Sequence, residues 1–309
     1  MAELREIASG LRFPEGPVAL PGGDVLVCEI AAGRITRISP DGARTVAAET
    51  GGGPNGAALG PDGRLWVCNN GGMEWYDRDG KLFPIGCAHD YEGGSIQRVD
   101  LETGEVQTVW RDCGGELLKG PNDLVFDRTG GLWFTDHGKE RGRVRDVTGL
   151  FYAPADGNAV REVVWPLHGP NGVGLSPEED RVYVAETEAA RLIAFDLEAP
   201  GVIAGSGGKR VRGHRGRCLH GAPGLQFFDS LAVEADGRIC VATIHNGGIT
   251  VIAPDSGAAE HVAMPDPVTT NIAFGGPGLR TAFVTLSMSG RLVSQPWARP
   301  GLPLNFLNR

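Results

Sequence analysis

A short hairpin module recurs along this chain and sharply limits the folds open to it. An oxygen-bearing side chain, one of Glu15, Asn55, Asn122, Asn171, Asp229 and Asn271, stands ahead of an apolar run, a tight turn and a second apolar run. Gly22-Gly23, Asp62-Gly63, Thr129-Gly130 and Asp236-Gly237 begin seven residues after Glu15, Asn55, Asn122 and Asp229. The runs beyond those turns are Val25-Leu26-Val27, Leu65-Trp66-Val67, Leu132-Trp133-Phe134 and Ile239-Cys240-Val241. Asn171 and Asn271 lie one residue further from theirs, Val182-Tyr183-Val184 and Ala282-Phe283-Val284. Successive markers are 40, 67, 49, 58 and 42 residues apart, the spacing of propellers and other repeat arrays.

Within the first unit, Val18-Ala19-Leu20, Val25 to Cys28, Gly33 to Ile38 and Arg44 to Ala47 alternate with turns at Gly22-Gly23 and Asp41-Gly42. That pattern is a four-stranded antiparallel meander. No helical period of useful length appears, which argues against alternating strand–helix folds. The 48 glycines and 21 prolines fit many short strands joined by turns. The fold expected is all-β, a six-bladed propeller of four-stranded antiparallel blades filling residues 1–309 as one domain. The N-terminal Leu4 to Ala8 supplies the outer strand that the last unit lacks and closes the ring. The two long intervals carry insertions, an aromatic one with Trp75, Tyr76 and Tyr91 and a basic one from Gly207 to His220.

The net charge of −9 argues against a nucleic-acid partner, which would require a basic face. No run is long enough to span a bilayer and no leader pattern opens the chain, so a cytoplasmic location away from membranes is expected, as a monomer or small homo-oligomer. Of the six cysteines, Cys28, Cys68 and Cys240 sit in apolar runs, where a thiol behaves as a small hydrophobe. None forms a zinc-type pair with another.

In a propeller the first strand of each blade lines the central channel, so the markers should gather at one mouth. Glu15 and Asp229 are the only charges in that set of oxygens. A hard divalent cation takes such ligands, Ca2+ six to eight of them, whereas Zn2+ favours the His and Cys that the set lacks. The plainer reading is that Asn55-Gly56 and Asn171-Gly172 are turn dipeptides.

The stretches Phe13-Pro14-Glu15-Gly16-Pro17, Gly120-Pro121-Asn122-Asp123-Leu124, Gly169-Pro170-Asn171-Gly172-Val173 and Asp229-Ser230-Leu231-Ala232-Val233 resemble the SMP-30/gluconolactonase/LRE family, over nearly the whole chain. The resemblance implies a six-bladed propeller with one divalent metal, usually Ca2+, near the top of its tunnel. Zn2+, Mn2+ and Mg2+ stay open. It further implies hydrolysis of sugar lactones or, in relatives, of organophosphates. By the same resemblance Glu15, Asn171 and Asp229 are metal ligands, and Asn122 is a ligand or a substrate contact. The family's sugar-binding Arg is missing near Asn122, where Lys119 and Gly120 stand.

Antiparallel pairing puts the ends of the second strands on the same face as the markers. His137, Glu186 and His245 then join the mouth. His137 and His245 are candidates for acid–base work beside Asp229, and Glu186, Asn55 and Asn271 are candidate substrate contacts. The reaction expected is metal-assisted opening of a small-molecule lactone by water. Its rivals are a propeller binding module with a structural metal, a phosphotriesterase-like enzyme, and a non-hydrolytic enzyme on the same fold. The basic insertion reads either as a lid or as a solvated loop.

Overall fold

The computed structural model describes residues 3–155, 157 and 159–309. Six antiparallel sheets follow one another around a ring. Their inner strands are Pro14–Ala19, Pro54–Leu59, Pro121–Phe126, Pro170–Leu175, Phe227–Val233 and Thr269–Gly275, which we number blades I to VI. The second strands are Val25–Glu29, Leu65–Asn69, Leu132–Asp136, Arg181–Glu186, Ile239–Ile244 and Thr281–Leu286. The outer strand of blade VI is Arg5–Ala8, paired with Arg291–Pro296. The ring is therefore closed by the N-terminal strand, as the sequence predicts. Blade IV adds a fifth, two-residue strand, Val202–Ile203.

The core is divided among the junctions between blades. One cluster joins blades III and IV through Trp133, Tyr152, Val173 and Phe195, and another joins II and III through Cys68, Ile96, Leu132 and Phe134. Further clusters fill the IV–V, V–VI, I–II and VI–I junctions. A second strand thus packs on both faces: Leu132 and Phe134 meet blade II while Trp133 meets blade IV. That is why these strands are continuous apolar runs and not alternating ones. Cys28, Cys68 and Cys240 are buried, and all six cysteines are free.

Every inner strand carries a register shift beside its marker, between Glu15 and Val18, Pro54 and Ala57, Pro121 and Leu124, Pro170 and Val173, Phe228 and Leu231, and Thr269 and Asn271. A bulge frees residues from the ladder and re-aims their side chains. Asn55-Gly56 and Asn171-Gly172 lie inside strands, so the turn reading of those dipeptides does not hold. Their glycines serve close approach. A Cβ on Gly16 would lie 2.1 Å from the Asn55 carbonyl oxygen, and one on Gly172 would lie 2.8 Å from that of Asp229.

The two channel ends differ. At one, the hairpin of Met73–Arg78 and Lys81–Cys87 reaches from blade II over the markers' end. Trp75 packs on Phe13 at 4.8 Å between ring centres, buried Leu82 joins Phe13 and Ile30, and Leu82 N–H donates to the Met288 carbonyl at 3.2 Å. The aromatic insertion is thus a cap. At the other end the C-terminal segment crosses beneath the ring. Leu302 N–H donates to the Val233 carbonyl at 2.8 Å and the Phe306 ring meets the Phe126 ring edge-on. This segment closes an apolar cavity of about 110 Å3, lined by Val18, Leu59, Leu175, Phe274 and Leu304. The basic insertion lies at the perimeter: Val211 bridges to Val164 in the outer strand of blade III, and Arg210 and Arg212 stand over the Trp165 ring. Those contacts fix it as a brace between blades III and IV, which disposes of the lid reading.

Candidate metal centre and mouth

The bulges bring the six markers to one level of the channel, all but half-buried Asp229 being fully buried. Glu15 Oε2 accepts from Gly16 N–H at 2.5 Å and from Asn271 Nδ2 at 2.6 Å. Asn271 Oδ1 accepts from Ile272 N–H at 2.7 Å, and its Nδ2 orients Glu15. Asn171 Nδ2 donates to Thr187 Oγ1 at 3.2 Å and its Oδ1 accepts a long 3.3 Å bond from Ser230 Oγ. Two acceptors, Glu15 Oε1 and Asn122 Oδ1, are buried without a hydrogen-bond partner among the described residues. Such orphans are rare in native proteins and call for a ligand.

The electrostatics agree. Burial, then the Asp229 charge, holds the Glu15 carboxyl well above the usual carboxylate range. Burial pushes Asp229 up to about 7, with Asp123 and Glu188 adding repulsion. No Lys or Arg is among the groups that tune either acid. Among the described residues no three His, Cys, Asp or Glu side chains converge. The oxygens that could hold a cation are instead those of two carboxylates and two amides, Glu15, Asp229, Asn122 and Asn171. Those hard oxygens, two of them orphaned, fit a divalent cation of the Ca2+ type. Asn55 is buried one blade away.

Asp123, which the sequence reading passed over, sits at the same level. Its Oδ1 accepts from Leu124 N–H at 2.9 Å and its Oδ2 from Val173 N–H of blade IV at 3.2 Å, and burial raises its pKa to about 7. It knits neighbouring inner strands across the channel. Its position directly after Asn122, inside the bulge, was the available signal.

The rim is sorted less as expected. Glu186 has both oxygens engaged: Oε1 accepts from His168 N–H at 2.7 Å and Oε2 from Arg191 Nε at 2.9 Å. Glu29 accepts from Arg12 N–H and Arg34 in the same manner, and Asp136 from Lys119 and Gly120 N–H. In blades I, III and IV the last residue of the second strand therefore anchors the loop entering its own inner strand, which gives Glu186 a positioning role where a substrate contact was expected. The acid that approaches the mouth is Glu188. It pairs with Arg145, lies 3.8 Å from His137 Nε2 and is felt by Asp229. Arg145 also supplies, from the blade III loop, a guanidinium that the residues around Asn122 do not. His137 is half-buried, and burial, with Arg145 and Lys139 nearby, drives its pKa down to about 3. It is therefore neutral at physiological pH. His245 is exposed, with a left-handed backbone (φ 71°) and its ring 5.0 Å from that of Phe227. His168 is exposed too.

No helix among the described residues is long and apolar enough to cross a membrane. The family model of the SMP-30/Gluconolactonase/LRE-like region matches residues 13–288. A gluconolactonase of Zymomonas mobilis is 26% identical, the match covering 92% of this chain and 79% of that protein. The diisopropyl-fluorophosphatase of Loligo vulgaris is 27% identical over 71% of this chain and 73% of its own. A gluconolactonase structure from Xanthomonas campestris superposes with a TM-score of 0.75 at 21% identity, covering 97% of this chain and 90% of that one. The chain belongs to the SMP-30/gluconolactonase/LRE-like family.

Proposed function

We propose that this protein is a hydrolase that opens lactones of small molecules and depends on one divalent cation, Ca2+ by the chemistry of its donors. The observation that carries the reading is the pair of buried, unpartnered acceptors, Glu15 Oε1 and Asn122 Oδ1. They lie in the same ring as Asp229 and Asn171. Glu15, Asn122, Asn171 and Asp229 would hold the ion, which when bound supplies Lewis-acid polarisation of the carbonyl and charge for the developing oxyanion. The gluconolactonase relatives support a cyclic ester as substrate.

The chain's own groups provide the remainder. Asp229 is the only marker with appreciable exposure, which supports its carboxylate as the group that would orient the attacking water and take its proton. Asn271 and Gly16 fix Glu15 Oε2 and so leave Oε1 as the presented atom. His137, neutral because it is buried near Arg145, offers a ring nitrogen for hydrogen bonding to substrate on the blade III–IV side. The cap hairpin covers the blade I side and limits water there.

The test is a lactone and aryl-ester panel assayed before and after chelation, with Ca2+, Mn2+, Zn2+ and Mg2+ added back singly. Turnover lost on chelation and restored by Ca2+ supports the reading. Tight Ca2+ binding with no turnover of any ester makes the protein a binding module with a structural ion. Including diisopropyl fluorophosphate examines the phosphotriesterase alternative that the squid relative raises.

A further inference from the structure

In blades II, III and IV the residue two places before the marker is glycine: Gly53, Gly120 and Gly169. A Cβ there would strike the loop that follows the second strand. It would lie 2.3 Å from Asn70 Oδ1 at Gly53, 2.7 Å from the Gly138 carbonyl at Gly120, and 2.1 Å from Glu188 Oε2 at Gly169. The missing side chains let these three loops close in one layer above the marker ring. Asn70 is the polar side chain of that layer in blade II, and it is only 3% exposed.

The Asn70 amide is held from one side only. Oδ1 accepts from Gly72 N–H at 2.9 Å and from Lys139 Nζ at 3.0 Å. Two donors identify that atom as the oxygen and fix the amide's sense. Nδ2, the other end of the amide, lies further from Gly53 than Oδ1 does (3.1 against 2.3 Å from a Cβ there) and is buried with no partner among the described residues. Lys139 comes from blade III. It is 4% exposed, donates also to the Gly72 carbonyl at 2.7 Å, and rests 5.4 Å from the centre of the Tyr91 ring. The buried ammonium thus ties the Asn70 amide oxygen to the Gly72 carbonyl. A desolvated N–H2 without an acceptor is costly to the fold.

We propose that Asn70 Nδ2 is a substrate-binding donor, reserved for an acceptor oxygen of the lactone, and that Lys139 is its positioning residue. The inference rests on the hydrolase reading. Losing one hydrogen bond to an uncharged acceptor should raise KM by up to about tenfold.

The experiment compares Asn70→Ala, Asn70→Asp and Lys139→Met with wild type in the calcium-loaded full chain. It measures kcat and KM for glucono-δ-lactone and dihydrocoumarin, and calorimetric binding of δ-valerolactam. Asn70→Asp retains an oxygen for Lys139 and Gly72 but replaces the donor with an acceptor. It should bind substrate no better than Asn70→Ala, with calcium affinity and Tm near wild type, and Lys139→Met should shift KM in the same direction. If Asn70→Asp matches wild type while Asn70→Ala is impaired, Asn70 is only a brace and the proposal fails. It fails equally if KM and lactam affinity are unmoved in both. A wild type that turns over neither lactone sinks the hydrolase reading instead. The lactam titration then still decides Asn70, which is upheld if wild type binds and Asn70→Asp does not, and overturned otherwise.

Discussion

Asp229→Asn separates the two electrostatic states of the mouth. In metal-free protein, burial and then the neighbouring acids hold the Asp229 carboxyl at about 7, against an ordinary 3.8. At 1.36 kcal/mol per pH unit, ionising it takes roughly 4 kcal/mol from the native state. Partial exposure and relaxation reduce this to about 2–4 kcal/mol. The folded chain binds this proton more tightly than the unfolded one. Its contribution is therefore fully present below about pH 4 and is lost as the pH rises through about 7. Asparagine has no such charge. In excess chelator at pH 8 the variant should melt above wild type by roughly 4–8 °C, taking about 2 °C per kcal/mol for a chain this long. At pH 4 the two should converge.

Calcium should invert the order. Wild type gains about 4 kcal/mol at a thousandfold excess of ion over Kd, and the variant, one carboxylate short, loses most of that increment and its turnover. Scanning calorimetry with chelator and with saturating calcium, at both pH values, provides the measurement. A variant that melts below wild type in chelator at pH 8, or that keeps the full calcium increment, would refute the reasoning.

Gly16→Ala should act through the backbone: φ is +51° and the added Cβ would lie 2.1 Å from the Asn55 carbonyl oxygen. A left-handed alanine and the overpacking together cost roughly 2–5 kcal/mol, visible as a lower Tm with weakened calcium affinity, because Glu15 precedes the moved residue. Glu234 is fully buried far from the mouth, accepting from Trp297 Nε1 at 2.6 Å and pairing with Arg299. Glu234→Ala should destabilise by about 3–5 kcal/mol, the range for breaking a buried pair from one side, while calcium affinity at the remaining folded protein stays at the wild-type value.

The blades were legible because their grammar is local. Leu132-Trp133-Phe134 is apolar throughout because neighbours cover both of its faces, and the turn seven residues after a marker ends every such hairpin that keeps the register. The marker ring was legible for a related reason, since one bulge at one place in six strands repeats one residue chemistry. What the sequence left open depended on partners distant in the chain. That Trp75 and Leu82 cap the channel follows from Phe13, Ile30 and Met288, and that the basic insertion is a brace follows from Val164 and Trp165. No short-range pattern announces either.

The rim shows the limit most clearly. Glu186 and Glu188 are two residues apart with the same functional group, and composition cannot rank them. Pairing does, because the last strand residue faces the loop entering its own blade and meets His168 N–H, while Glu188 lies past the strand end and is free to lean over Gly169. The sequence did hold a usable sign. Phe13, Phe227 and Thr269 stand two places before Glu15, Asp229 and Asn271, whereas glycine takes that place in blades II, III and IV. A missing side chain immediately above the marker ring is room for something else, and in those three blades a connecting loop fills it. The mouth is therefore asymmetric by construction: aromatic walls on blades I and V, and on blades II to IV the polar groups of Asn70, His137 and Glu188. Substrate polarity should be read from that second side.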